Sequence, residues 1–249
     1  MKRMIRFEMY KMIHSRMVYI AMILYDILWI ITNAVLINID PNYDQIFTYG
    51  YQVIAGTIRF IFHDVVAGHL LASGFVGEEY DSGTFGLAIL SGRPRRLIMT
   101  SKMIVFLLFN LIVSSIYMIG TVLVFSVHFG GFWSETNPDN VLRLFLTLFF
   151  GVAASVTTGT VVFMFSIMIK KKIWSIGAGI FLTYLLGQLD NAHRDDPIPA
   201  IEYNYVYQIR HLSWEIDTVG VLRYLALTLL TVLIAYYTTI YVFDRKEFK

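Results

Sequence analysis

The sequence predicts an all-α, polytopic membrane protein with six transmembrane helices. Of its 249 residues, 57% are hydrophobic and only 15% are charged, and the mean hydropathy is +0.61. A soluble domain of this size carries about 25% charged residues. Six apolar stretches approach the length of about 20 residues that a helix needs to cross the hydrocarbon core. The basic residues are also distributed unevenly between the segments that join these stretches.

Residues 1–249 are interpreted as one transmembrane domain. The expected spans cover 17–38, 50–75, 97–127, 142–169, 173–189 and 219–243. The third and fourth spans are long enough to tilt or to project into water, whereas the fifth has only 17 residues. The chain contains no cysteine, which excludes disulfides, thiolate metal sites and cysteine nucleophiles.

The N-terminal residues 1–16 are predicted to form a basic amphipathic helix on an anionic membrane face. Apolar residues recur there at helical spacing, with basic residues between them; they are Met4, Ile5, Met9, Met12 and Ile13. The alternative is a charged leader to the first span. An unbroken apolar region and a small-residue cleavage site are both missing, which argues against a signal peptide.

The basic residues predict the orientation of the spans. With both termini in the cytoplasm, the inside segments 1–16, 76–102, 170–172 and 244–249 hold 15 of the 20 Lys and Arg residues. The three outside loops then collect ten acidic residues. We therefore expect a multi-pass membrane protein with an even number of spans and both termini in the cytoplasm.

Small residues at four-residue spacing predict close helix packing in two spans. Gly151, Ser155 and Gly159 share one helical face in the fourth span, and Ser175 and Gly179 repeat the spacing in the fifth. Such residues let helix backbones approach each other, although glycine and serine are also common in membrane helices for other reasons.

The segment GEEYDSGTFGLAILSGRPRRLIMTSK, residues 77–102, joins the second and third spans. Asp81 or Ser82 is a candidate cap for a short apolar helix over 84–90. Gly92 suits the position just past a helix end, and Pro94 suits the first turn of the next helix. An apolar helix between two charged flanks would rest on water unless a partner covers it, so we expect a docked partner.

This segment resembles the connector in permease subunits of the ABC type-two exporter family. Those subunits carry an acidic residue, Gly-Thr, a Pro-Arg pair and a lysine at the start of the third span. The matching residues here are Glu79, Gly83, Thr84, Pro94, Arg95 or Arg96, and Lys102. The resemblance extends to the basic N-terminal helix, the six spans and the final outside loop.

The resemblance implies that residues 77–102 contain a coupling helix that lies in a groove of a cytosolic ABC ATPase. Two ATPase copies would bind ATP and Mg²⁺, while this chain itself binds no cofactor or metal. A second permease would complete a homodimer or heterodimer in the lipid bilayer, with no role for nucleic acid. The cargo would be an amphipathic or hydrophobic peptide, toxin or antibiotic, for export or self-immunity across a bacterial plasma membrane.

Within the connector, apolar residues are expected to provide burial in the partner and charged residues to fix orientation. The apolar residues are Phe85, Leu87 and Leu90, and the charged residues include Glu78, Glu79, Arg95 and Arg96. Gly83 and Thr84 form the helix start, and Pro94 follows its end. Gly86 lies inside the helix and costs about 1 kcal/mol relative to alanine, so the helix is expected to have two turns.

The sequence lacks a Walker A motif, G-x-x-x-x-G-K-[ST], and no segment between the spans is long enough for an ATPase domain. We therefore expect a transport subunit that is not an enzyme.

Ionisable residues fall inside the first two spans: Asp26 in the first, and Arg59, His63, Asp64 and His69 in the second. Asp26 is expected at the level of His63 and Asp64, as part of a transport path or as an ion pair that fixes helix register. His63 and His69 are six residues apart and face different directions, which disfavours a metal site. No nucleophile elbow accompanies these residues, which disfavours a hydrolase.

The last outside loop, residues 190–218, is too long for a simple turn, and its aromatic residues suit a membrane interface or a cap over the outer exit. Two other functional classes stay open: a membrane sensor or scaffold coupled to an ATPase, and an intramembrane enzyme that uses Asp26, His63 and Asp64.

Overall fold

The structure is a computed structural model. It describes residues 1–16, 18–20, 23–24, 27, 31, 61–128, 138–169, 171, 173–179, 181 and 218–245. Throughout these residues the regular structure is helical, as the fold class predicts. Most of the predicted first span, part of the fifth and the loop at 190–217 lie outside the described residues.

The helices follow the apolar stretches closely. They are α1 (Lys2–His14), α2 (Ile61–Asp81), α3 (Thr84–Leu90), α4 (Arg95–His128), α5 (Pro138–Ile169) and α6 (Thr218–Asp244). Residues 173–179 are helical as well. The predicted spans at 97–127, 142–169 and 219–243 therefore correspond to α4, α5 and α6. Helix α2 continues to Asp81, beyond residue 75, where the second predicted span ends.

Three helices in the described part of the chain are long and apolar enough to cross a membrane: Arg95–Ile116, Leu148–Ile169 and Thr218–Asp244. The whole of α4 has 34 residues. At 1.5 Å per residue it extends about 51 Å, well beyond a hydrocarbon core of about 30 Å. Helix α4, which follows the connector, is therefore longer than the hydrocarbon core is thick.

Helix α5 lies at the centre of the bundle and packs against α2, α4 and α6. Its Phe163 ring meets Phe106 of α4 with ring centroids 5.4 Å apart. On its other side, the buried Tyr224 hydroxyl of α6 donates a hydrogen bond to the Phe150 carbonyl at 3.0 Å. These contacts satisfy the polar tip of the tyrosine while its ring fills the core.

The predicted close packing at the small residues of α5 is confirmed, and α4 is the helix that approaches them. Asn110 Nδ2 donates to the Ser155 carbonyl at 3.2 Å and to Ser155 Oγ at 3.0 Å. A Cβ at Gly159 would lie only 2.9 Å from a methyl group of Leu107. Small residues on α5 therefore make room for a buried amide, which then joins the two helices through hydrogen bonds.

The helical residues 173–179 lie close to α5 and α2. Ser175 Oγ donates to Ser166 Oγ of α5 at 3.0 Å. A side chain at Gly179 would overlap the imidazole ring of His69 on α2. The Ser175–Gly179 pair thus provides the close approach that its spacing predicts.

The connector, α1 and the C-terminal end of α6 meet at one end of the bundle, which we call the connector end. Lys102 of α4 binds Glu8 of α1, and Phe85 of α3 contacts Phe243 of α6. Helix α1 and Asp244, the last residue of α6, therefore lie at the same end of the bundle as the connector.

Helix α1 lies within the predicted residues 1–16, but part of its apolar stripe faces the core of the protein. Met4 and Met12 are 4% and 0% exposed because they pack into the core, beside α4. The outward face carries Phe7, Tyr10 and Ile13, which are 52%, 62% and 45% exposed. The methionines therefore belong to the protein core, and any contact of α1 with a bilayer falls to this second face.

Candidate functional site

Two glycines with positive φ delimit the short helix α3. Gly83 precedes it with φ 69° and Gly92 follows it with φ 76°. Other residues are strained in this left-handed region, which explains glycine at both positions. The predicted C-terminal role of Gly92 is confirmed, and the seven residues of α3 make the two turns that were expected.

The predicted N-terminal cap of α3 is wrong. Gly83 occupies the cap position without a side-chain hydrogen bond, and Asp81 is the last residue of α2. The Ser82 hydroxyl donates to the Glu78 carbonyl at 2.6 Å and also lies 3.1 Å from the Thr84 hydroxyl. The turn is therefore held by the end of α2, because Ser82 serves that helix and not the next one.

Phe85 anchors α3 inside the protein. Its side chain is 0% exposed, and its ring centroid lies 4.8 Å from that of Tyr80 and 5.3 Å from that of Phe243. The interpretation of Phe85 as part of a partner-facing surface is wrong, because α2 and α6 already enclose it. The ring fixes α3 on the ends of these helices.

Leu87 and Leu90 form the outward face of α3. They are 66% and 83% exposed, and their three-residue spacing places them side by side on the helix. Single exposed leucines are ordinary on a protein surface, but here two adjoin on a helix whose opposite side is fixed by Phe85. The connector therefore presents a rigidly seated apolar pair.

An ion network lies at the connector end and joins three helices. It consists of Glu8 and Lys11 of α1, Glu79 of α2 and Lys102 of α4. Lys102 Nζ donates to Glu8 Oε2 and to Glu79 Oε1, each at 2.7 Å. Lys11 Nζ lies 3.2 Å from Glu8 Oε1 and also donates to Glu79. Two lysines and two glutamates make the network neutral.

The network is largely buried, so each of its charges depends on an oppositely charged side chain within the protein. The Lys102 side chain is 0% exposed, those of Glu8 and Glu79 are 2% and 10% exposed, and Lys11 retains 32%. The Lys102 ammonium also lies 3.9 Å from the Phe75 ring centroid. Removing one member of such a buried pair leaves a charge without compensation and costs about 3–5 kcal/mol.

Glu79 is therefore placed differently from the expectation that it orients a partner at the surface. It faces Lys102 and Lys11 inside the chain. Burial, together with the adjacent Glu79 carboxylate, raises the pKa of the Tyr80 hydroxyl above its ordinary range. Tyr80 thus stays protonated and makes a long hydrogen bond of 3.5 Å to the Ile167 carbonyl.

Arg95 also binds within the chain. Its Nη1 donates to the Phe243 and Asp244 carbonyls at 3.3 and 2.8 Å. These carbonyls are at the C-terminal end of α6, where the negative end of the helix dipole stabilises a cation. The Arg96 side chain is 79% exposed and reaches Asp244 at 3.5 Å. Arg95 therefore joins the start of α4 to the end of α6 within the chain, in contrast to its expected role in orienting a partner.

The other predicted connector residues lie at the surface or in the turns. Glu78 and Pro94 are exposed, and Thr84 is half-buried in the first turn of α3. The Pro94 carbonyl accepts the amides of Leu97 and Ile98, so it begins α4 one residue before the first helical position.

The intramembrane candidates are not tested by the described residues. Asp26 and Arg59 lie outside them, and so do the side chains of His63 and Asp64, although their backbone belongs to α2. Their role in a transport path or in helix register stays a prediction.

Glu8 is the functional candidate that the sequence interpretation missed. It is the only acidic residue among the first 16. It also shares the four-residue spacing of Met4 and Met12, both of which are buried. An acid on the apolar stripe of a basic helix needs a cation when it is buried, so this position could have predicted a buried ion pair.

Comparison with known protein families gives a match over most of the chain. A family described as ABC-2 family transporter protein matches residues 4–186, from α1 through the region after the helical residues 173–179. No curated protein and no solved structure matches the chain.

Proposed function

Because the chain belongs to the ABC-2 family of transporter proteins, we propose that it is the six-span permease subunit of an ATP-driven exporter. Permeases of this family are multi-pass transport subunits without a catalytic domain, and they work with ABC ATPase subunits. ATP and Mg²⁺ then belong to a separate cytosolic chain, in two copies. A second permease, identical or similar, completes the transporter.

The observation that carries this proposal is the seating of α3. Phe85 is fully buried, whereas Leu87 and Leu90 on the opposite side are 66% and 83% exposed. A fixed helix that presents an apolar pair suits a groove in a partner protein, because little conformational freedom is lost on docking. Arg96, in the first turn of α4 after the connector, is 79% exposed, and its charge suits orientation of the encounter.

The charge distribution supports a cytoplasmic location for the connector end. Residues 1–16 and 77–102 both lie there, and they contain nine of the 20 Lys and Arg residues. The positive-inside rule assigns such segments to the cytoplasm. A cytosolic ATPase would then reach α3 directly, and both termini of the chain would be cytoplasmic.

Amphipathic or hydrophobic compounds, such as a peptide, toxin or antibiotic, are the proposed cargo, for export or self-immunity. The cargo assignment rests on the resemblance of the connector to exporter permeases. Asp26, Arg59, His63 and Asp64 are the proposed polar residues of the path through the membrane.

The proposal is tested first by ATPase docking. The L87A/L90A double variant should lose most of its co-purifying ATPase. Each leucine contributes about 1.5–3 kcal/mol on burial, so docking should weaken by at least about a hundredfold in total. Leu108→Ala is the matched control, because Leu108 is 43% exposed on α4 and lies within the predicted third span.

Crosslinking identifies the contact itself. The chain has no cysteine, so a single cysteine at position 87 gives an unambiguous attachment point. Crosslinks to the ATPase would support docking through α3. Crosslinks only to the permease, with normal docking of L87A/L90A, would refute it. ATP hydrolysis by the isolated chain would also contradict the proposal that a separate ATPase subunit supplies the energy.

Transport is tested with the reconstituted complex in vesicles. ATP-dependent movement of a fluorescent amphipathic peptide is the expected result. Intact docking without ATP-dependent movement of a panel of amphipathic peptides and lipophilic antibiotics would favour the sensor or scaffold instead.

A further inference from the structure

We infer that the ion network of Glu8, Lys11, Glu79 and Lys102 ties α1 to the connector, so that α1 and α3 respond together when a partner acts on α3. This inference rests on the proposed function, since a docked ATPase supplies the action on α3. Lys102 lies on α4, and its ammonium donates to Glu8 of α1 and Glu79 of α2 at 2.7 Å each. One side chain thereby joins three helices.

The network lies directly against the seat of α3. The Lys102 ammonium is 5.5 Å from the Phe85 ring centroid and 3.9 Å from that of Phe75. Phe85 is the buried anchor of α3. A displacement of α3 therefore reaches Phe85 first and the lysine next, because the interior is close-packed and has little room to absorb it.

Directional bonds distinguish this arrangement from ordinary packing. Apolar contacts tolerate sliding and rotation, whereas charge-assisted hydrogen bonds require a particular geometry. Lys102 has no exposed surface, so water cannot replace either carboxylate. The position of α1 relative to α2 and α4 is thus set by the carboxylates of Glu8 and Glu79.

Two double variants separate a cross-helix tie from simple charge balance. E8Q/K102M leaves Lys11 and Glu79, an ion pair that still joins α1 to α2. E79Q/K102M leaves Lys11 and Glu8, an ion pair within α1 alone. Both variants remove one lysine and one carboxylate from the network, and both keep it neutral.

Hydrogen exchange of the α1 amides provides the first measurement, on the full-length permease in lipid nanodiscs. We expect exchange in E79Q/K102M to be about tenfold faster than in E8Q/K102M, which is the effect of losing a charge-assisted hydrogen bond. Equal exchange in the two variants, or equal loss of both from the membrane, would overturn the inference. It would mean that the network serves only to balance charge.

The permease–ATPase complex provides a second measurement that a purely structural role would not affect. Trapping the co-purified ATPase with ATP and vanadate should change α1 exchange in the wild type and in E8Q/K102M, but not in E79Q/K102M. An equal response of both variants would overturn the inference. Absence of any co-purifying ATPase from the wild type would instead refute the proposed function, and the nanodisc measurement would still decide the tie.

Discussion

Substitution of Phe85 by alanine should release α3 from its seat while leaving its outward surface chemically unchanged. The Phe85 ring is fully buried and contacts Tyr80 and Phe243 across two other helices. Truncation of a buried phenylalanine to alanine costs about 3–5 kcal/mol through lost contacts and the cavity that remains. Since 1.4 kcal/mol corresponds to a tenfold change, opening of α3 should become about a hundredfold or more easier.

Amide hydrogen exchange over 85–91 measures this opening on the permease alone. Leu87→Ala is the matched control, because the same helix loses a side chain that is 66% exposed. A surface substitution of this kind usually changes stability by no more than about 0.5 kcal/mol. Exchange in α3 should therefore rise strongly for Phe85→Ala and stay near the wild-type rate for Leu87→Ala.

ATPase binding should separate the same two variants by mechanism. Leu87→Ala should weaken binding through a lost contact, with α3 still in place. Phe85→Ala should weaken binding because the competent position of α3 becomes a minor state, which lowers apparent affinity by its population. If both variants exchange α3 amides at the same rate, the seat is not formed by Phe85, and the reasoning fails.

Three further predictions concern other elements. Gly92→Ala should destabilise the turn after α3 by about 1 kcal/mol or more, because Gly92 has φ 76°, and thermal unfolding of the purified permease measures the loss. Gly159→Leu should separate α4 from α5 and lower the melting temperature, because even a Cβ there would lie 2.9 Å from Leu107, whereas Val152→Leu on the exposed face of α5 should have little effect. Asp26→Asn should lower either the membrane level of the protein or its export activity; normal values of both would show that the carboxylate is dispensable.

The long helices could be predicted because a single physical demand dominates them. Stretches of about 20 or more apolar residues must be helical in a bilayer, where every backbone group needs an internal partner. The predicted span at 219–243 accordingly differs from α6, Thr218–Asp244, by one residue at each end. Within the connector, Gly92 was predictable for a similarly local reason, because few other residues adopt a left-handed helix end.

The direction in which Phe85 points could not be predicted from the segment TFGLAIL. Nearly all its residues are apolar, so the segment has no polar face to show which side is buried. The choice depends on Phe243, which belongs to the last helix and lies at the far end of the sequence. The direction of Phe85 is therefore determined by a tertiary contact, which the local sequence pattern does not indicate.

The ion network was hidden for the same reason. Lys102 and Glu79 were both recognised in the connector, but their pairing spans 23 residues, and the pairing with Glu8 spans 94. Sequence spacing predicts contacts only within one helix, at three or four residues. A buried lysine at the start of α4 could be anticipated to need an acid, but not from which helix the acid would come.

The connector end combines an exposed apolar pair with a buried ion network, and this arrangement suits the transmission of motion from α3 to α1. Replacement of buried ion pairs by apolar residues is often neutral or stabilising, so stability alone does not explain Lys102 in this position. What the lysine adds is direction, because its two bonds at 2.7 Å fix α1 and α2 relative to α4. If that is its role, a well-packed apolar replacement of Glu8, Lys11, Glu79 and Lys102 together should keep the permease folded and bound to its ATPase while uncoupling ATP hydrolysis from transport. A stable quadruple variant that still transports normally would show that the charges contribute nothing beyond packing.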